Sequence, residues 1–356
     1  MFEVIATWFR RYFSDPQAVT LLCIIVAAML IIAAFGHILA PVFASLIIAY
    51  LLQGIVTRLE RLKLPHPLAV ILTFSVFIGL FIFAVLGLVP LIWEQARHLV
   101  NQLPQMTNEG QIFLKQLTVT YPNYISDSQL QNLLFEFKTA LAKGGQLLLS
   151  ASLASIPTII MLGIYFVVVP IMVYFFLMDK TVLFRWMKNY FPKNRGVIRK
   201  VWLEVNEQIG NYVRGRVLEI IIVSIVSYLF FVWMHLPYAM LLSTLVGFSV
   251  IIPYIGATLV TIPVVFVGFY QWGWHPSFFY LLAGYAILIM LDANVLVPLL
   301  FSGVIHLHPV AIIISILFFG GLWGFWGVFF AIPIAIVIKA ILAAWPKPVS
   351  ENPNAE

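Results

Sequence analysis

The chain has 356 residues, of which 62% are hydrophobic and only 10% are charged, and its mean hydropathy is +1.02. Soluble domains carry about 25% charged residues, so this composition excludes a soluble globule, and the continuous apolar runs predict an all-α polytopic membrane protein. The formal net charge is +6, but nine of the 20 Lys and Arg residues fall between Lys180 and Arg216, as in a cytoplasmic loop rather than a nucleic-acid-binding surface.

Residues 1–92 are predicted to form the N-terminal transmembrane spans 1–3. Pro16 lies at the first helical position before the apolar run 18–35, and Gly36-His37 is expected to be a tight hairpin. Residues 38–56 then return to a basic cytoplasmic loop, and residues 68–92 cross outward as the third span.

Residues 93–150 are predicted to be a periplasmic or extracellular insertion of two or three short amphipathic helices, with Pro104 as a break. Apolar residues recur at helical spacing between Leu130 and Leu141, and Gly144-Gly145 ends that helix. The insertion has only four Lys or Arg residues, which suits the outer side of the membrane.

Residues 151–178 are predicted to form span 4, and residues 179–216 to form basic cytoplasmic amphipathic helices. Apolar side chains between Val197 and Tyr212 make one helical stripe, so we expect this helix to lie on the membrane surface against anionic lipid. A gating or coupling helix is the alternative.

The C-terminal transmembrane core, residues 217–345, contains two apolar stretches, 236–270 and 309–345, that are too long for simple spans. We predict a broken helical hairpin in each, and the positions of the basic loops make the two hairpins enter from opposite sides, a usual mark of a transporter binding site. Irregular backbone at membrane depth is tolerated only against protein or a water-filled cavity. The residues at the breaks are therefore transport-path candidates: Pro253, Gly256 and Pro263 in the first hairpin, and Gly320, Gly324, Gly327 and Pro333 in the second.

Asp292 lies on the predicted span between these hairpins, residues 277–301, and is the only Lys, Arg, Asp or Glu between Glu219 and Lys339. A charged side chain at the membrane centre costs about 3 kcal/mol, so such residues face a bundle interior or a polar path. We predict that Asp292 carries a proton or sodium ion or binds substrate, with a structural capping role as the alternative. Asn294 lies about 200° further round the helix, and we expect it to make an interhelical hydrogen bond.

Glu219 lies near the start of the C-terminal core, three residues after Arg216 and five residues after Arg214. An interfacial ion pair with one of them is the expected role, and a cytoplasmic gate or coupling group is the alternative. The sequence has no Walker loop and no protease-like pattern, so it predicts no enzyme, no cofactor and no metal site. The predicted partners are the lipid bilayer and a small-molecule or cation substrate.

Five motifs stand out together: Tyr212-Val-Arg-Gly-Arg216, Gly247-Phe-Ser-Val-Ile-Ile-Pro-Tyr-Ile-Gly256, Asp292-Ala-Asn294, His308-Pro309 and the glycine-rich run from Gly320 to Pro333. They resemble the autoinducer-2 exporter family of permeases over nearly the whole chain, and the Arg-Arg-Tyr-Phe-Ser-Asp-Pro16 start resembles its PerM-type branch. The resemblance implies a bacterial inner-membrane permease with about eight transmembrane segments, assembled as a homo-oligomer, specifically a pentamer.

Three functions are compatible with this sequence. The first is secondary export of a small polar solute, an autoinducer-2-like signal by family resemblance. The second is antiport of sodium or another monovalent cation against protons. The third is a non-transporting membrane scaffold that acts through residues 93–150 and 179–216. In each case the N- and C-termini are expected in the cytoplasm, the latter as a polar tail at residues 346–356.

Overall fold

The computed structural model describes residues 16–120, 156–190, 196–253, 255–301 and 307–344, together with Thr139. All regular elements in these described ranges are helical. They are α1 (Pro16–Arg61), α2 (His66–Phe83), α3 (Val89–Thr120), α4 (Ile156–Met178), α5 (Lys180–Tyr190), α6 (Gly196–Trp233), α7 (Ala239–Ser249), α8 (Ile255–Trp272), α9 (Pro276–Leu291), α10 (Val297–Phe301) and α11 (Pro309–Ala344). Two short π-helical turns, Ala84–Leu88 and Asp292–Leu296, join α2 to α3 and α9 to α10.

The described helices confirm an all-α polytopic membrane protein. Helices pair every interior backbone group within the segment, which is the condition for crossing hydrocarbon. Two helices that meet at a bend of 81°, Gly163–Met178 and Lys180–Trp186, make a sixth span if they are counted together. The total of about eight segments stays a prediction. Five described segments are long and apolar enough to cross a membrane: Ile38–Arg61, His66–Met106, Val201–Trp233, Ile255–Trp272 and Pro276–Phe301.

Two predicted breaks in the N-terminal half are wrong. The hairpin expected at Gly36-His37 is absent, because α1 continues through both residues and through Pro41. Pro104 likewise lies inside α3, which continues to Thr120. A glycine in a helix costs about 1 kcal/mol and a proline about 3 kcal/mol. The helix continues despite this cost because a break would leave further backbone groups without hydrogen bonds in an apolar environment. The amphipathic helix expected at 130–141, apart from Thr139, and its Gly144-Gly145 end lie outside the described residues.

The basic region also differs from its prediction. Helix α4 contains Pro170 and ends at Met178, where the chain bends by 81° into α5. Residues 197–212 do not form a separate surface helix, because α6 runs without interruption from Gly196 to Trp233. Their apolar stripe belongs to the same 38-residue helix that continues as a membrane span.

The described chain divides into two compact units. Of the described residues, the first unit contains 16–74, 167–190, 196–215, 301 and 307–344, and the second contains 75–120, 139, 156–166, 216–253 and 255–300. In the first unit, α11 is a hairpin rather than one rod, since Gly324 has the non-helical angles φ 59° and ψ −134°. Ile316 and Phe319 before this kink pack against Ala331 after it. The predicted broken hairpin in this stretch is therefore confirmed.

The second unit contains the other predicted hairpin, formed by α7 and α8. Helix α7 ends at Ser249, and α8 begins at Ile255 after a short non-helical connection. The two helices meet so closely at this connection that a Cβ atom at Gly256 would collide with the carbonyl group of Ser249. The core around the hairpin is built from fully buried apolar side chains of α6, α7, α8 and α9: Phe231, Leu242, Val264, Val267 and Leu281.

We expect Gly256→Ala to destabilise the protein, because the obstructing atom is backbone and cannot turn aside. Overpacking of this kind costs about 2 kcal/mol, which should lower the melting temperature of the detergent-purified protein. Gly79→Ala is the matched control, since Gly79 is an exposed helical glycine with no atom within 4 Å of its added Cβ. If both variants melted at the parental temperature, the close approach would not contribute to stability.

Candidate functional site: a charged cluster at the hairpin tip

A largely enclosed arginine joins α6 to the tip of the α7–α8 hairpin. The Nη1 atom of Arg216 donates a hydrogen bond of 2.7 Å to Oε2 of Glu219, one turn later on α6. The same atom donates a second hydrogen bond of 2.7 Å to the carbonyl oxygen of Val250, the C-cap residue of α7. The guanidinium group therefore satisfies a carbonyl at the end of a helix, where backbone acceptors lack partners and positive charge is favourable.

The Arg216–Glu219 pair is among the most enclosed polar groups in the second unit. Glu219 is only 1% exposed, and the side chain of Arg216 is 11% exposed. Removing one partner of such a pair leaves an uncompensated buried charge, at a cost of about 3–5 kcal/mol. The ion pair expected for Glu219 is present, and its partner is Arg216 rather than Arg214.

Asp292 lies within electrostatic range of both Arg216 and Glu219. It is the first residue of the π-helical turn Asp292–Leu296, and its backbone carbonyl accepts from the N–H of Val297, five residues on. Its Oδ1 atom is buried and has no hydrogen-bond partner among the described residues. Single π-helical turns often mark functional sites in helices, because they change which side chains face a given direction.

These three residues, the Arg216–Glu219–Asp292 cluster, contain two acidic groups and only one basic group. Two carboxyl groups share one guanidinium, and the guanidinium already binds Glu219 and Val250. With all three groups ionised, the cluster carries one excess negative charge in an apolar unit. Such a charge requires a compensating cation, and a proton or a monovalent ion at Asp292 would supply it.

The three transport-path candidates of the α7–α8 hairpin do not all lie at its break. Pro253 lies in the connection itself, and its carbonyl oxygen accepts a 2.7 Å hydrogen bond from the N–H of Ile255. Gly256 gives the close approach described above. Pro263 does not set the break, because it lies inside α8. The two turns of α8 before Pro263 are helical and the helix continues beyond it to Trp272, so this proline is accommodated inside α8.

Asn294 differs from its prediction. Its side chain is exposed, and Nδ2 donates a 2.9 Å hydrogen bond to the carbonyl oxygen of Met290 on its own helix segment. Among the described residues Asn294 makes no interhelical hydrogen bond, so that prediction is wrong. The π turn interrupts the regular backbone pattern here, and a side-chain amide can bond a carbonyl one turn earlier.

The remaining predicted site residues belong to the first unit. Gly324 makes the kink in α11, and Gly327 approaches the carbonyl group of Phe319 as Gly256 approaches that of Ser249. Gly320 and Pro333 lie before and after that kink in the same hairpin. Arg214 donates a 3.2 Å hydrogen bond to the hydroxyl group of Tyr50, and its guanidinium lies 5.4 Å from the centre of that ring.

A second polar group in the second unit was not predicted from the sequence. Gln95 and Gln102 of α3 each bond to the start of α7: Oε1 of Gln95 accepts from the N–H of Leu241, and Oε1 of Gln102 accepts from the hydroxyl of Tyr238. The available signal was the spacing of Gln95, His98 and Gln102, which places three polar side chains on one face of a helix. It was missed because the third span was predicted to end at residue 92 and to be followed by separate short amphipathic helices.

Comparison with known proteins gives the same family as the sequence motifs. A family model described as "AI-2E family transporter" matches residues 20–347. The chain is 42% identical over 346 residues to "Putative permease PerM" of Escherichia coli K12, with 97% of this chain and 98% of that protein covered. It is 27% identical over 308 residues to "Putative transport protein YueF" of Bacillus subtilis, with 84% and 82% covered. It is 23% identical over 351 residues to "AI-2 transport protein TqsA" of E. coli K12, with 90% and 91% covered.

These matches confirm the resemblance, including its PerM-type branch. They also favour transport over the scaffold alternative, since the family consists of transport permeases. The apolar helices and the bacterial relatives agree on a multi-pass protein of the bacterial inner membrane. The chain therefore belongs to the AI-2E family of transporters and is an integral membrane permease.

Proposed function

We propose that this permease exports a small polar solute by secondary transport, and that the Arg216–Glu219–Asp292 cluster carries the coupling cation. One observation carries the proposal: a buried carboxyl oxygen of Asp292 has no hydrogen-bond partner among the described residues, and the nearby arginine is already bound to Glu219 and Val250. When a proton or a monovalent cation binds, the cluster becomes neutral. When the cation leaves, the cluster again carries one excess negative charge.

The transported solute is proposed to be autoinducer-2 or a molecule similar to it. The support is the relative TqsA, whose name assigns it AI-2 as cargo, since the name of the more similar PerM relative gives no substrate. The hairpin tip is the proposed moving part. Arg216 links α6 to the carbonyl end of α7, so a change of charge at Asp292 acts on the contact that holds the tip.

Purified protein in sealed liposomes, with a pH-sensitive dye inside, tests the coupling. We expect addition of autoinducer-2 to one side to move protons in the opposite direction, in proportion to the solute transported. If sodium is the coupling ion, solute transport will instead follow an imposed sodium gradient. Solute transport that ignored both gradients would contradict the coupling role of the cluster.

Cation/proton antiport is the second candidate function, and the same excess charge favours it. It requires no organic solute, so the two functions separate cleanly in the same liposomes. Proton release on addition of sodium alone would support antiport. No response to sodium, lithium or potassium would leave solute export as the function of the cluster.

We infer that both termini lie in the cytoplasm and that the protein is a homo-oligomer, a pentamer by family resemblance. Arg10 and Arg11 before α1 and Lys347 after α11 support this orientation under the positive-inside rule. Cys23 is the only cysteine, so single cysteines placed in a Cys23→Ser background report the side of each loop through an impermeant reagent. Native mass spectrometry gives the number of subunits, and a monomeric mass would contradict the assembly.

A further inference from the structure

Helix α5 leaves the direction of the membrane span that precedes it. The chain turns by 81° between α4 and α5. Helix α4 has 23 residues, and at about 1.5 Å per residue it extends about 35 Å, more than the hydrocarbon thickness of about 30 Å. It is therefore long enough to cross the membrane without α5. Because spanning helices tilt by only about 20° from the bilayer normal, a helix at nearly a right angle to α4 lies close to the membrane plane.

The sides of α5 differ in polarity. Thr181, Arg185 and Asn189 recur every four residues along one strip of the helix, and all three are exposed. Val182 and Trp186 form the neighbouring apolar strip, with exposed fractions of 60% and 59%. A helix with a basic polar side and an apolar side that carries tryptophan is typical of the boundary between lipid headgroups and acyl chains.

Positive charge is concentrated in α5 and in the residues that follow it. The segment 180–200 contains seven Lys or Arg residues and no Asp or Glu. These seven are Lys180, Arg185, Lys188, Lys193, Arg195, Arg199 and Lys200. The nearest acidic residues in the sequence, Asp179 and Glu204, leave most of this charge uncompensated. A group of four to eight basic residues directly after a membrane span favours binding to anionic lipid.

An aromatic contact holds α5 against the beginning of α6 within the first unit. The rings of Phe184 and Trp202 meet edge to face, with their centres 6.1 Å apart. Both rings remain about half exposed, at 46% and 50%. Amphipathic aromatic rings are enriched at the level of the lipid headgroups, so this pair extends the apolar strip of α5 onto α6.

We propose that α5 is an interfacial helix that binds the headgroups of anionic phospholipids. Val182 and Trp186 enter the boundary between headgroups and acyl chains, and the guanidinium group of Arg185 binds lipid phosphate through two parallel hydrogen bonds. A zwitterionic headgroup carries its own cation, which reduces its attraction to the basic segment. The positive-inside rule assigns so basic a segment to the cytoplasmic leaflet. Lipid binding requires no transported solute, so this proposal is independent of the proposed function.

Site-directed quenching in liposomes tests the lipid preference. A fluorophore is attached to Thr181→Cys in a Cys23→Ser background of the full chain, at an exposed position on α5. The liposomes are phosphatidylcholine with a minor fraction of nitroxide-labelled phosphatidylglycerol or, in a second sample, the same fraction of nitroxide-labelled phosphatidylcholine. We expect at least about twofold stronger quenching by the labelled phosphatidylglycerol. The difference should disappear at about 1 M salt, where the Debye length is about 3 Å.

Two double variants show whether α5 causes the preference. Arg185→Gln/Lys188→Gln removes two positive charges from α5 and should lower the preference for phosphatidylglycerol by about half. Arg58→Gln/Arg61→Gln is the matched control, because it removes the same charge from exposed arginines at the end of α1 and should leave the preference unchanged.

Three outcomes would overturn the proposal. Equal quenching by the two labelled lipids in the parent protein would show no headgroup preference. An equal loss of preference in both double variants would assign it to the general surface charge rather than to α5. Weak quenching by both lipids, unchanged by salt, would show that another protein surface, such as a second copy of this chain, covers α5.

Discussion

Arg216→Met is expected to be the most destabilising single substitution in the second unit. It leaves Glu219, which is 1% exposed, without its cation, and it removes the donor to the Val250 carbonyl. The loss of one partner from a buried pair costs about 3–5 kcal/mol, comparable with a large part of the stability of a domain. We expect little monodisperse protein after detergent extraction, and a strongly lowered melting temperature in what remains.

Two variants control this experiment. Arg214→Met removes a guanidinium two residues earlier whose partner, Tyr50, is neutral, so we expect a smaller effect. The double variant Arg216→Met/Glu219→Leu removes both charges and should recover part of the lost stability, since a hydrophobic replacement of a whole buried pair is often tolerated. Equal melting temperatures for Arg216→Met and Arg214→Met would show that the pair does not hold the hairpin tip.

Asp292→Asn is expected to have the largest effect on transport without loss of the fold. Asparagine has nearly the same shape as aspartate but takes up no proton and carries no charge, so the cluster is permanently neutral. Export driven by a proton or sodium gradient should fall to the level of protein-free liposomes. Exchange of labelled for unlabelled solute at equal concentrations should persist, because exchange requires binding and movement but no coupling ion.

Asn294→Ala is the matched control for that substitution. It changes a polar residue in the same π-helical turn, but its side chain is exposed and bonds only to Met290 of its own segment. We expect gradient-driven export to remain near the parental rate. If Asp292→Asn transported like Asn294→Ala, Asp292 would have a structural role only.

The rarity of charge allowed much of this site to be predicted from the sequence. Asp292 was isolated among apolar residues, and Glu219 lay one turn from an arginine, so burial and pairing followed from the cost of charge in hydrocarbon. Glycine and proline likewise indicated both hairpins, which the structure places at Pro253 and Gly324. The charge signal is the stronger of the two, because an unpaired charge in hydrocarbon is costly whereas a glycine or proline can be absorbed by a helix.

Other features could not be predicted because several local outcomes have similar energies. A glycine or proline in a long apolar run can end a helix or be absorbed by it, and α1 absorbs both Gly36 and Pro41. The π turn at Asp292 has no distinctive residue pattern. The bond from Arg216 to Val250 joins positions 34 residues apart, so only the fold reveals it.

The polar contacts between α3 and the start of α7 were missed for a different reason. Gln95 and Gln102 are ordinary surface residues by type, and they follow residue 92, where the third span was predicted to end. Because α3 begins at Val89 and continues beyond both glutamines, they share one helix face and reach the start of α7. Apolar spacing predicts helices well, but polar contacts between distant segments depend on how those helices pack.

The uptake of a cation by Asp292 is the central claim, and infrared difference spectroscopy tests it most directly. Spectra of the reconstituted protein at low minus high pH report the carbonyl stretch of each carboxyl group that gains a proton. We predict a band in the parent that is missing in Asp292→Asn, that persists in Asn294→Ala, and that sodium diminishes if the two cations compete. A spectrum of Asp292→Asn identical to that of the parent, or loss of the band only in Glu219→Gln, would contradict this assignment.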